Sequence, residues 1–245
     1  IEYYEQALAI SRALNDRRNE GTLLGNLGIA YSDLGQVERA IEYYEQALAI
    51  SRAINDRRSE RTNLGNLGYA LSRLGRHEEA IQRLREALRI AEEVRSPRSM
   101  SYSGTSLAQA LAYAGRGEEA LAVIRAAQAH EVAENQHAAR CWHGVLALRQ
   151  AAPDEARAAF QAAIAHASEL LQHSSRNYQA YYVRGLARVG LSLLGEASAL
   201  PLAREDYRRG RAICNAAGIL EDERRALRYL LGERTTPSVA ELLGD

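Results

Sequence analysis

Apolar and small residues recur at three- and four-residue intervals along most of the chain, which predicts helices from end to end. In residues 41–48, for example, Ile41, Tyr44, Ala47 and Leu48 fall on one face of a helix, and glutamates and a glutamine fill most of the other positions. No segment alternates β-branched and polar residues over the length of a half-buried strand. The sequence therefore predicts an all-α protein.

The helical pattern repeats with a period of 40 residues. Residues 1–20 return almost unchanged as residues 41–60, and Ala40, Ala80 and Ala120 mark one site in successive units. Periods of about 20 to 50 residues are typical of stacked helical units that share one continuous core, because no unit can bury its apolar face alone. We therefore expect an α-solenoid, for which a binding or scaffolding surface is the first functional hypothesis.

The most specific pattern begins in the first helix of the unit. A Leu-Gly pair is followed at fixed spacing by an aromatic residue, a turn glycine and further small and aromatic residues, namely Leu27, Gly28, Tyr31, Gly35, Ala40, Tyr44 and Ala47. The next unit has Leu67, Gly68, Leu71, Gly75, Ala80, Leu84 and Ala87, without the two aromatic residues. This pattern resembles the tetratricopeptide repeat (TPR) family in its 40-residue form. The resemblance implies antiparallel helix pairs that stack into a right-handed superhelix, closed by C-terminal capping helices.

Each position of this pattern has a physical reason. Gly28 and Ala40 are small, so that paired helices can approach closely, while Tyr31 and Tyr44 fill the space between helix layers. Gly35 suits the position after a helix, where the backbone turns left-handed. We therefore expect the first helix of the unit to end just before this glycine.

The repeat pattern divides the chain into seven segments. They are the second helix of a truncated repeat (1–20), three TPR units (21–60, 61–100 and 101–135), a divergent TPR unit (136–175), a divergent TPR-like helix pair (176–217) and C-terminal capping helices (218–245). Pro153 is well placed to open a helix, whereas residues 177–200 are too many for a standard first helix. We expect a lengthened helix there, followed by a loop that ends at Pro201.

The composition excludes several kinds of functional site. All 31 basic residues are arginine, so the chain has no lysine for a phosphate-binding P-loop or for Schiff-base catalysis. The 31 acidic residues balance the basic ones, which removes the net positive field that usually drives nucleic-acid binding. We therefore expect no catalysis, no cofactor and no nucleic-acid partner.

Cysteine usage and hydropathy indicate the compartment. The chain has two cysteines, no secretory signal and no apolar run of transmembrane length. We therefore expect a cytoplasmic location and no contact with a membrane. Ile1 matches Ile41, in the middle of a repeat, so we also expect the chain to be part of a longer protein.

The resemblance to TPR proteins implies a concave surface lined by the first helix of each pair. Asn26 and Asn66 matter most on this surface, because an amide side chain can pair with the backbone of an extended peptide whatever its sequence. The alternative is that these asparagines belong to the repeat pattern and simply face solvent. The residues that we expect to line a peptide-binding groove are Asn26, Ile29, Asp33, Asn66, Tyr69, Arg73, Gln109, Tyr113 and Trp142.

Two of these residues allow opposing interpretations. Arg73 could hold a partner's carboxylate through two parallel hydrogen bonds, but one arginine does not make a clamp for C-terminal carboxylates. Trp142 could be an exposed aromatic anchor for a partner or a part of the core. The sequence leaves both questions open.

Histidine and cysteine residues cluster in the fourth unit, where His137, Cys141 and His143 are close together. His137 and Cys141 share a helix face, but zinc normally takes three or four protein ligands, and no second pair with suitable spacing follows. His166 and His173 are seven residues apart on a predicted helix, and we expect both on its surface. We therefore predict neither a metal site nor a cysteine nucleophile.

The sequence favours recognition over catalysis. Its units resemble the C-terminal TPR arrays of bacterial STAND-type signalling NTPases, although this chain itself has no NTPase motif. The resemblance implies that the chain is the sensor or interaction arm of a larger signalling protein and binds a protein or peptide ligand in its groove. A constitutive assembly scaffold and end-to-end self-association are the alternatives.

Overall fold

The computed structural model describes residues 1–129, 136–234 and 239–243, and the regular structure in these ranges is entirely helical. The helices of the first half are α1 (Glu2–Ala13), α2 (Arg17–Asp33), α3 (Val37–Ala53), α4 (Arg57–Arg73), α5 (His77–Glu93) and α6 (Pro97–Tyr113). Those of the second half are α7 (Gly117–Gln128), α8 (Gln136–Arg149), α9 (Pro153–His173), α10 (Tyr178–Leu193), α11 (Ala199–Ile213), α12 (Ala217–Leu231) and α13 (Val239–Leu243). The predicted all-α fold class is confirmed.

Two compact units divide the chain. Unit 1 comprises Ile1–Ala114 and the short segment Ala216–Ile219, and unit 2 comprises Gly115–Asn215 and Leu220–Asp245. Within unit 1, each helix from α1 to α6 packs against the next helix in sequence. Within unit 2, the helices from α7 to α11 do the same, and α13 packs against α11. Because turns of only three residues join the helices of unit 1, neighbouring helices run antiparallel, as predicted for a solenoid of helix pairs.

Short polar signals set the helix boundaries in unit 1. Asn15 and Asn55 adopt a left-handed backbone conformation after α1 and α3, with φ of 53° and 55°. The carboxylates of Asp16 and Asp56 each accept a hydrogen bond from the backbone amide three residues on, at 3.1 Å. This N-cap starts α2 at Arg17, four residues before the unit that the repeat pattern begins at residue 21.

The turn glycines have the predicted conformation. Gly35, Gly75 and Gly115 follow α2, α4 and α6 with φ of 81°, 77° and 79°. Only glycine adopts this region at little cost, and a left-handed residue after a helix lets its amide bond one of the last carbonyls. The prediction that the first helix of each unit ends just before this glycine is confirmed.

Small residues bring the helices of a pair together. A Cβ atom added to Gly28 would lie 2.5 Å from the ring of Tyr44, which is 3% exposed. The same contact joins α8 and α9, where a Cβ atom on Gly144 would lie 2.5 Å from the ring of Phe160. The predicted filling role of Tyr44 is therefore confirmed, and unit 2 uses the same device.

The divergent pair α10 and α11 differs from the prediction. The helix α10 has 16 residues, an ordinary length, and it ends before Gly195, whose φ is 96°. Its start is fixed by Asn177, whose side chain accepts a hydrogen bond from the Ala180 amide at 3.1 Å. Pro201 lies in the first turn of α11, where a missing amide hydrogen breaks no helical bond. The expected lengthened first helix and loop ending at Pro201 are wrong, and the longest helix is instead α9, with 21 residues.

Two other expectations for unit 2 agree with the structure. Pro153 is the first residue of α9, as predicted. Both predicted C-terminal helices are present as α12 and α13. Residues 130–135, at the end of the predicted third repeat, and Thr235, Thr236 and Pro237, between the last two helices, lie outside the described residues. Across the described residues, no helix combines the length and apolar character needed to cross a membrane.

Candidate peptide-binding surface

One side of α2 and α4 carries most of the predicted binding residues of unit 1. On α4, Arg61, Gly65, Tyr69 and Arg73 are spaced four residues apart, so they form one stripe along the helix. The corresponding residues of α2 are Gly21, Gly25, Ile29 and Asp33. We call these eight residues the variable stripe, because three of the four pairs differ between neighbouring repeats.

Asn26 and Asn66 lie beside the variable stripe and have unused hydrogen-bonding capacity. Both side chains are partly exposed, and within the described ranges neither amide group makes a hydrogen bond. Asn63 is the contrast, because it is 5% exposed and its amide nitrogen donates to the Ser51 hydroxyl at 3.5 Å. An amide that the chain itself does not use can both donate to and accept from the backbone of a ligand.

Apolar and aromatic side chains flank these amides. Ile29 is 44% exposed, and Tyr102, on α6, is 47% exposed. Tyr102 lies against α4, since a Cβ atom added to Gly65 would be 4.0 Å from its ring. Burial among the surrounding helices raises the pKa of Tyr102, although nearly half of its surface is open to solvent.

The chain itself contacts the C-terminal end of the variable stripe. Arg73 donates to the carbonyl and the hydroxyl of Ser32 at 3.0 and 2.9 Å, and to the Gly218 carbonyl at 3.2 Å. Gly218 belongs to unit 1, and a Cβ atom there would lie 2.1 Å from the Ser32 carbonyl oxygen. Burial raises the pKa of Asp33, and the charge of Arg73 partly opposes that shift. Arg73, for which the sequence left open a role in holding a partner's carboxylate, binds backbone and hydroxyl groups of its own chain.

The other predicted residues of unit 1 lie on α4 and α6. Tyr69, Gln109 and Tyr113 are each partly exposed, and the ring of Tyr113 stacks on that of His77 with 6.5 Å between centroids. The contact of Arg73 with α2 and the contact of a tyrosine of α6 with α4 place the three first helices side by side. The structure thus brings the predicted residues of unit 1 onto neighbouring helices.

Trp142 is the predicted binding residue that the structure removes from the surface. It is 7% exposed, and its ring lies 6.0 Å from that of Tyr229 on α12. The guanidinium of Arg149 lies 5.6 Å from the Tyr229 ring. The interpretation of Trp142 as an exposed anchor is therefore wrong, and the alternative of a core residue agrees with the structure.

The thiol next to Trp142 is equally enclosed. Cys141 is 1% exposed, and its Sγ lies 3.6 Å from the Val183 carbonyl oxygen. Burial raises the pKa of Cys141 well above the ordinary range of a thiol, so the reactive thiolate is disfavoured at neutral pH. In the part of the chain that the structure describes, no three potential ligands are grouped to hold a metal ion.

Two histidines of unit 2 face each other in the interior. His137 and His166 are 7% and 9% exposed, and their ring centroids are 5.7 Å apart. Burial lowers the pKa of His137 to about 4 and also lowers that of His166, so both rings are neutral at pH 7. The expected surface position of His166 is wrong, whereas His173 is exposed as predicted.

Two charged residues were not among the predicted binding residues. Arg61 belongs to the variable stripe. A comparison of neighbouring repeats could have identified it, because Gly21 stands at the same position of the preceding repeat. Glu223, on α12, is partly buried, and burial raises its pKa to about 8. The sequence indicates this burial, because Glu223 lies three residues after Leu220 and four before Leu227, on the apolar side of the helix.

Several solved structures share the fold of this chain. A Rap protein complexed with competence and sporulation factor matches with a TM-score of 0.73 and 17% identity, over 94% of this chain and 64% of the other. The Rap conjugation gene regulator of the plasmid pLS20, in complex with a Phr peptide, matches with a TM-score of 0.64 and 17% identity, over 94% and 63%. BtubC from P. vanneervenii matches with a TM-score of 0.63 and 18% identity, over 86% and 88%. The chain therefore spans less than two thirds of the length of these Rap proteins.

The family is shown by sequence. No curated protein matches the chain significantly. A family model for the tetratricopeptide repeat matches residues 1–53 and 58–135, which together are more than half of the chain. These ranges contain the whole variable stripe. The chain belongs to the tetratricopeptide repeat family.

Proposed function

We propose that this chain is a peptide- or protein-binding module whose ligand lies along the variable stripe. The observation that carries the proposal is the contrast between Asn26 and Asn66, which are partly exposed and make no hydrogen bond within the described chain, and the buried, bonded Asn63. Two unused amides that recur at one position of successive repeats are suited to bind the backbone of an extended peptide.

Differences between the repeats support a binding role for the same surface. Residues 1–20 and 41–60 are almost identical, yet Ile29 and Asp33 of one repeat are replaced by Tyr69 and Arg73 in the next. Changes at these positions alter what the surface recognises and leave the packing of the second helices unchanged. A Phr peptide in complex with one Rap regulator of similar fold makes a peptide the first ligand class to test.

We further propose that the module is the sensor or interaction arm of a larger signalling protein. The chain spans less than two thirds of the Rap proteins that share its fold, which leaves room for a further domain in that comparison. A ligand would act on such a domain by binding one of two states more tightly, since only a difference in affinity shifts an equilibrium. A constitutive scaffold would bind the same peptide without a shift, and hydrogen exchange with and without peptide separates the two cases.

Random-peptide display on the purified chain tests the binding function. The wild-type chain should select linear peptides above background, and the double variant Asn26→Ala with Asn66→Ala should lose this selection. Its melting temperature should stay within about 2 °C of wild type, because the two amides make no hydrogen bond within the described chain. A large loss of stability would instead show that the amides have a structural role.

The matched control for this experiment is Gln46→Ala. Gln46 is an exposed amide on α3, the second helix of its pair, and its removal should leave peptide selection unchanged. If the wild-type chain selects no peptide, or if the double variant selects the same peptides as wild type, the proposed function is wrong.

A specific observation makes self-association the second candidate. Tyr3 and Ile10 on α1, and Leu14 directly after it, are 86%, 61% and 72% exposed, whereas Ile50, the counterpart of Ile10 on α3, is 5% exposed. An exposed apolar helix face can pair with a second copy of the chain. In this case Ile10→Lys should abolish the dimer in light scattering and leave peptide selection intact. A wild-type chain that stays monomeric at all concentrations would exclude this candidate.

A further inference from the structure

A short segment from late in the chain joins unit 1. Unit 1 consists of Ile1–Ala114 and Ala216–Ile219, and the second range holds the residue before α12 with the first three residues of that helix. The segment contacts the C-terminal ends of α2 and α4 at Ser32, Asp33 and Arg73. Because it returns to the first helices of the repeats, we call Ala216–Ile219 the return segment.

Backbone groups make this contact at close range. The Arg73 guanidinium donates to the Gly218 carbonyl at 3.2 Å and, through its other terminal nitrogen, to the Ser32 carbonyl at 3.0 Å. A Cβ atom on Gly218 would lie 2.1 Å from the Ser32 carbonyl oxygen and 2.8 Å from that of Asp33. Gly218 is buried, whereas the neighbouring Ala217 is exposed. Position 218 therefore accepts only glycine while the return segment is in place.

The return segment meets the variable stripe at its one pair of opposite charge. Asp33 and Arg73 hold the same position in successive repeats. Further along the same two helices, Asn26 and Asn66 are partly exposed and make no hydrogen bond within the described ranges. To Arg73 the segment offers a backbone carbonyl, which is also the group that an extended peptide offers. The backbone of the chain itself therefore stands where the backbone of a ligand would bind.

The place of the return segment in α12 favours local opening. The first four amide groups of a helix have no partner within that helix, and helix ends fray more easily than helix interiors. Gly218 weakens this end further, because glycine loses more conformational freedom on folding than other residues. Leu227 and Leu230, further along α12, are fully buried. The return segment can therefore leave α2 and α4 while the rest of α12 stays in place.

We propose that the return segment is an internal competitor of the peptide ligand, which binds the stripe at Asp33 and Arg73 in the free protein and is displaced by a peptide that reaches this end. The inference rests on the proposed function and adds its regulation. Only the open form offers the whole stripe to a ligand, so the apparent affinity for a long peptide is reduced by the open fraction. A peptide that contacts only Asn26 and Asn66 leaves the return segment in place.

The spacing along α4 sets the length at which a ligand competes. Asn66 and Arg73 are seven residues apart, which corresponds to about 10.5 Å along the helix axis. An extended peptide covers this distance in about three residues. A peptide should therefore displace the return segment if it extends about three residues beyond the peptide unit that the Asn66 amide binds.

Hydrogen exchange followed by mass spectrometry tests the displacement on the wild-type chain. The probe is the linear peptide most frequently selected by display, synthesised with a fluorescein label. Its binding should slow amide exchange in α2 and α4 and speed it in the return segment. Shortening the probe by three residues from each end in turn should abolish the faster exchange for one end only, while α2 and α4 stay protected.

The variant Gly218→Ala tests the competition directly. The added Cβ atom collides with the Ser32 carbonyl and opens the return segment, whereas alanine favours helix and does not weaken α12 itself. Fluorescence polarisation should show the full-length probe binding this variant about three- to tenfold more tightly than wild type. The shortened probe should bind both chains equally. Asn215→Ala is the matched control, because Asn215 is exposed and directly precedes the return segment, and it should leave the affinity within about twofold.

The possible failures have separate meanings. If the probe binds wild type and leaves exchange in the return segment unchanged, the internal competition is overturned and the binding function stands. The same holds if Gly218→Ala binds the full-length probe within about twofold of wild type or more weakly, since the segment would then add to the site. If no peptide is selected at all, both proposals fail. The exchange experiment uses the wild-type chain, so it decides the question even if Gly218→Ala does not fold.

Discussion

The two units are built from the same kind of helix pair but differ in how they hold buried charge. In unit 1, Glu60 is 5% exposed and accepts hydrogen bonds from Arg52 and Arg57 at 3.0 and 2.6 Å. Glu20 makes the same two kinds of bond one repeat earlier. The side chains of Arg52 and Arg57 are 44% and 42% exposed, so either guanidinium can turn to water if the glutamate is lost.

Unit 2 encloses both signs of charge. Asp206 is 1% exposed, and the side chains of Arg184 and Arg188, which bind it at 2.6 and 2.5 Å, are 14% and 17% exposed. This cluster joins α10 to α11. The difference teaches that the buried glutamates of the repeated unit pair with half-exposed arginines, whereas the buried aspartate of the divergent unit pairs with mostly enclosed ones.

Removing the Asp206 carboxylate should give the largest effect on stability. Asp206→Ala leaves two enclosed guanidinium groups without their counter-charge, and such a loss costs about 3–5 kcal/mol. Glu60→Ala should cost only about 1–2 kcal/mol, because its arginines are already half exposed. Urea unfolding measures both losses, and hydrogen exchange followed by mass spectrometry shows which unit opens.

Glu205→Ala is the control for Asp206→Ala. Glu205 lies one residue earlier on α11 and forms exposed pairs with Arg208 and Arg209. Its removal should change the free energy of unfolding by less than about 0.5 kcal/mol. Equal costs for Asp206→Ala and Glu60→Ala would mean that the difference in exposure between the two units has no energetic consequence.

Acid should destabilise unit 2 before unit 1. The folded unit keeps His137 neutral, because burial lowers its pKa from 6.5 to about 4. The corresponding stabilisation is fully present above pH 6.5 and is lost as the pH falls from 6.5 towards 4, since the unfolded chain takes up the proton first. The loss should reach roughly 3 kcal/mol near pH 4. His166 titrates together with His137, and its pKa is lowered by burial and by Arg140 and raised by Glu169.

The variant His137→Gln separates this effect from the titration of the 31 acidic side chains. Its urea midpoint should fall less between pH 7 and pH 5 than that of wild type, because the residue that takes up the proton is gone. Hydrogen exchange at pH 5 should show the opening in unit 2, since His77 is the single histidine of unit 1. Parallel pH profiles of variant and wild type would show that His137 does not cause the acid sensitivity.

The sequence was sufficient to predict the structural features that neighbouring residues determine. The left-handed turn at Gly35 and the contact made possible by Gly28 follow from neighbouring residues and from the 40-residue period. The burial of Trp142 was left open and the position of His166 was predicted wrongly. The burial of both depends on which residues of other helices pack against them, and the repeat pattern does not determine that packing. The same holds for Asp206, because the residues forty positions before its partners Arg184 and Arg188 are Gly144 and Leu148.

The candidate site divides in the same way. Asn26 and Asn66 were predicted from the repeat pattern, and the structure places both as partly exposed side chains beside the variable stripe. The hydrogen bond from Arg73 to the Gly218 carbonyl could not be predicted, because 145 residues separate the two in sequence. Periodicity identifies which positions share a helix side, but it says nothing about distant segments that fold back onto that side.

Replacing a buried alanine by leucine tests whether the close contacts between paired helices tolerate added volume equally in both units. Ala80→Leu should cost about 1–3 kcal/mol, because Ala80 is fully buried between helices. Ala156, the corresponding residue of α9, is equally buried, so Ala156→Leu should cost a similar amount. Ala49→Leu, at an exposed position of α3, is the control and should change stability by less than about 0.5 kcal/mol. A thermal melt of Ala80→Leu that matches wild type would contradict the repeat register.

The start of the helices gives the smallest expected difference between the units. Asp56 caps α4 with its side chain, whereas Ala152, at the same position before α9, offers no such bond. Asp56→Ala should lower the free energy of unfolding by about 1 kcal/mol, and Ala152→Ser should raise it by about 0.5–1 kcal/mol, both measured by urea unfolding. Ala158→Ser, at an exposed position inside α9, is the control and should be slightly destabilising. If Ala152→Ser does not raise the free energy of unfolding, Pro153 already stabilises the start of α9 through its fixed backbone. The N-terminus of α9 would then be stabilised by a proline, where that of α4 is stabilised by a side-chain cap.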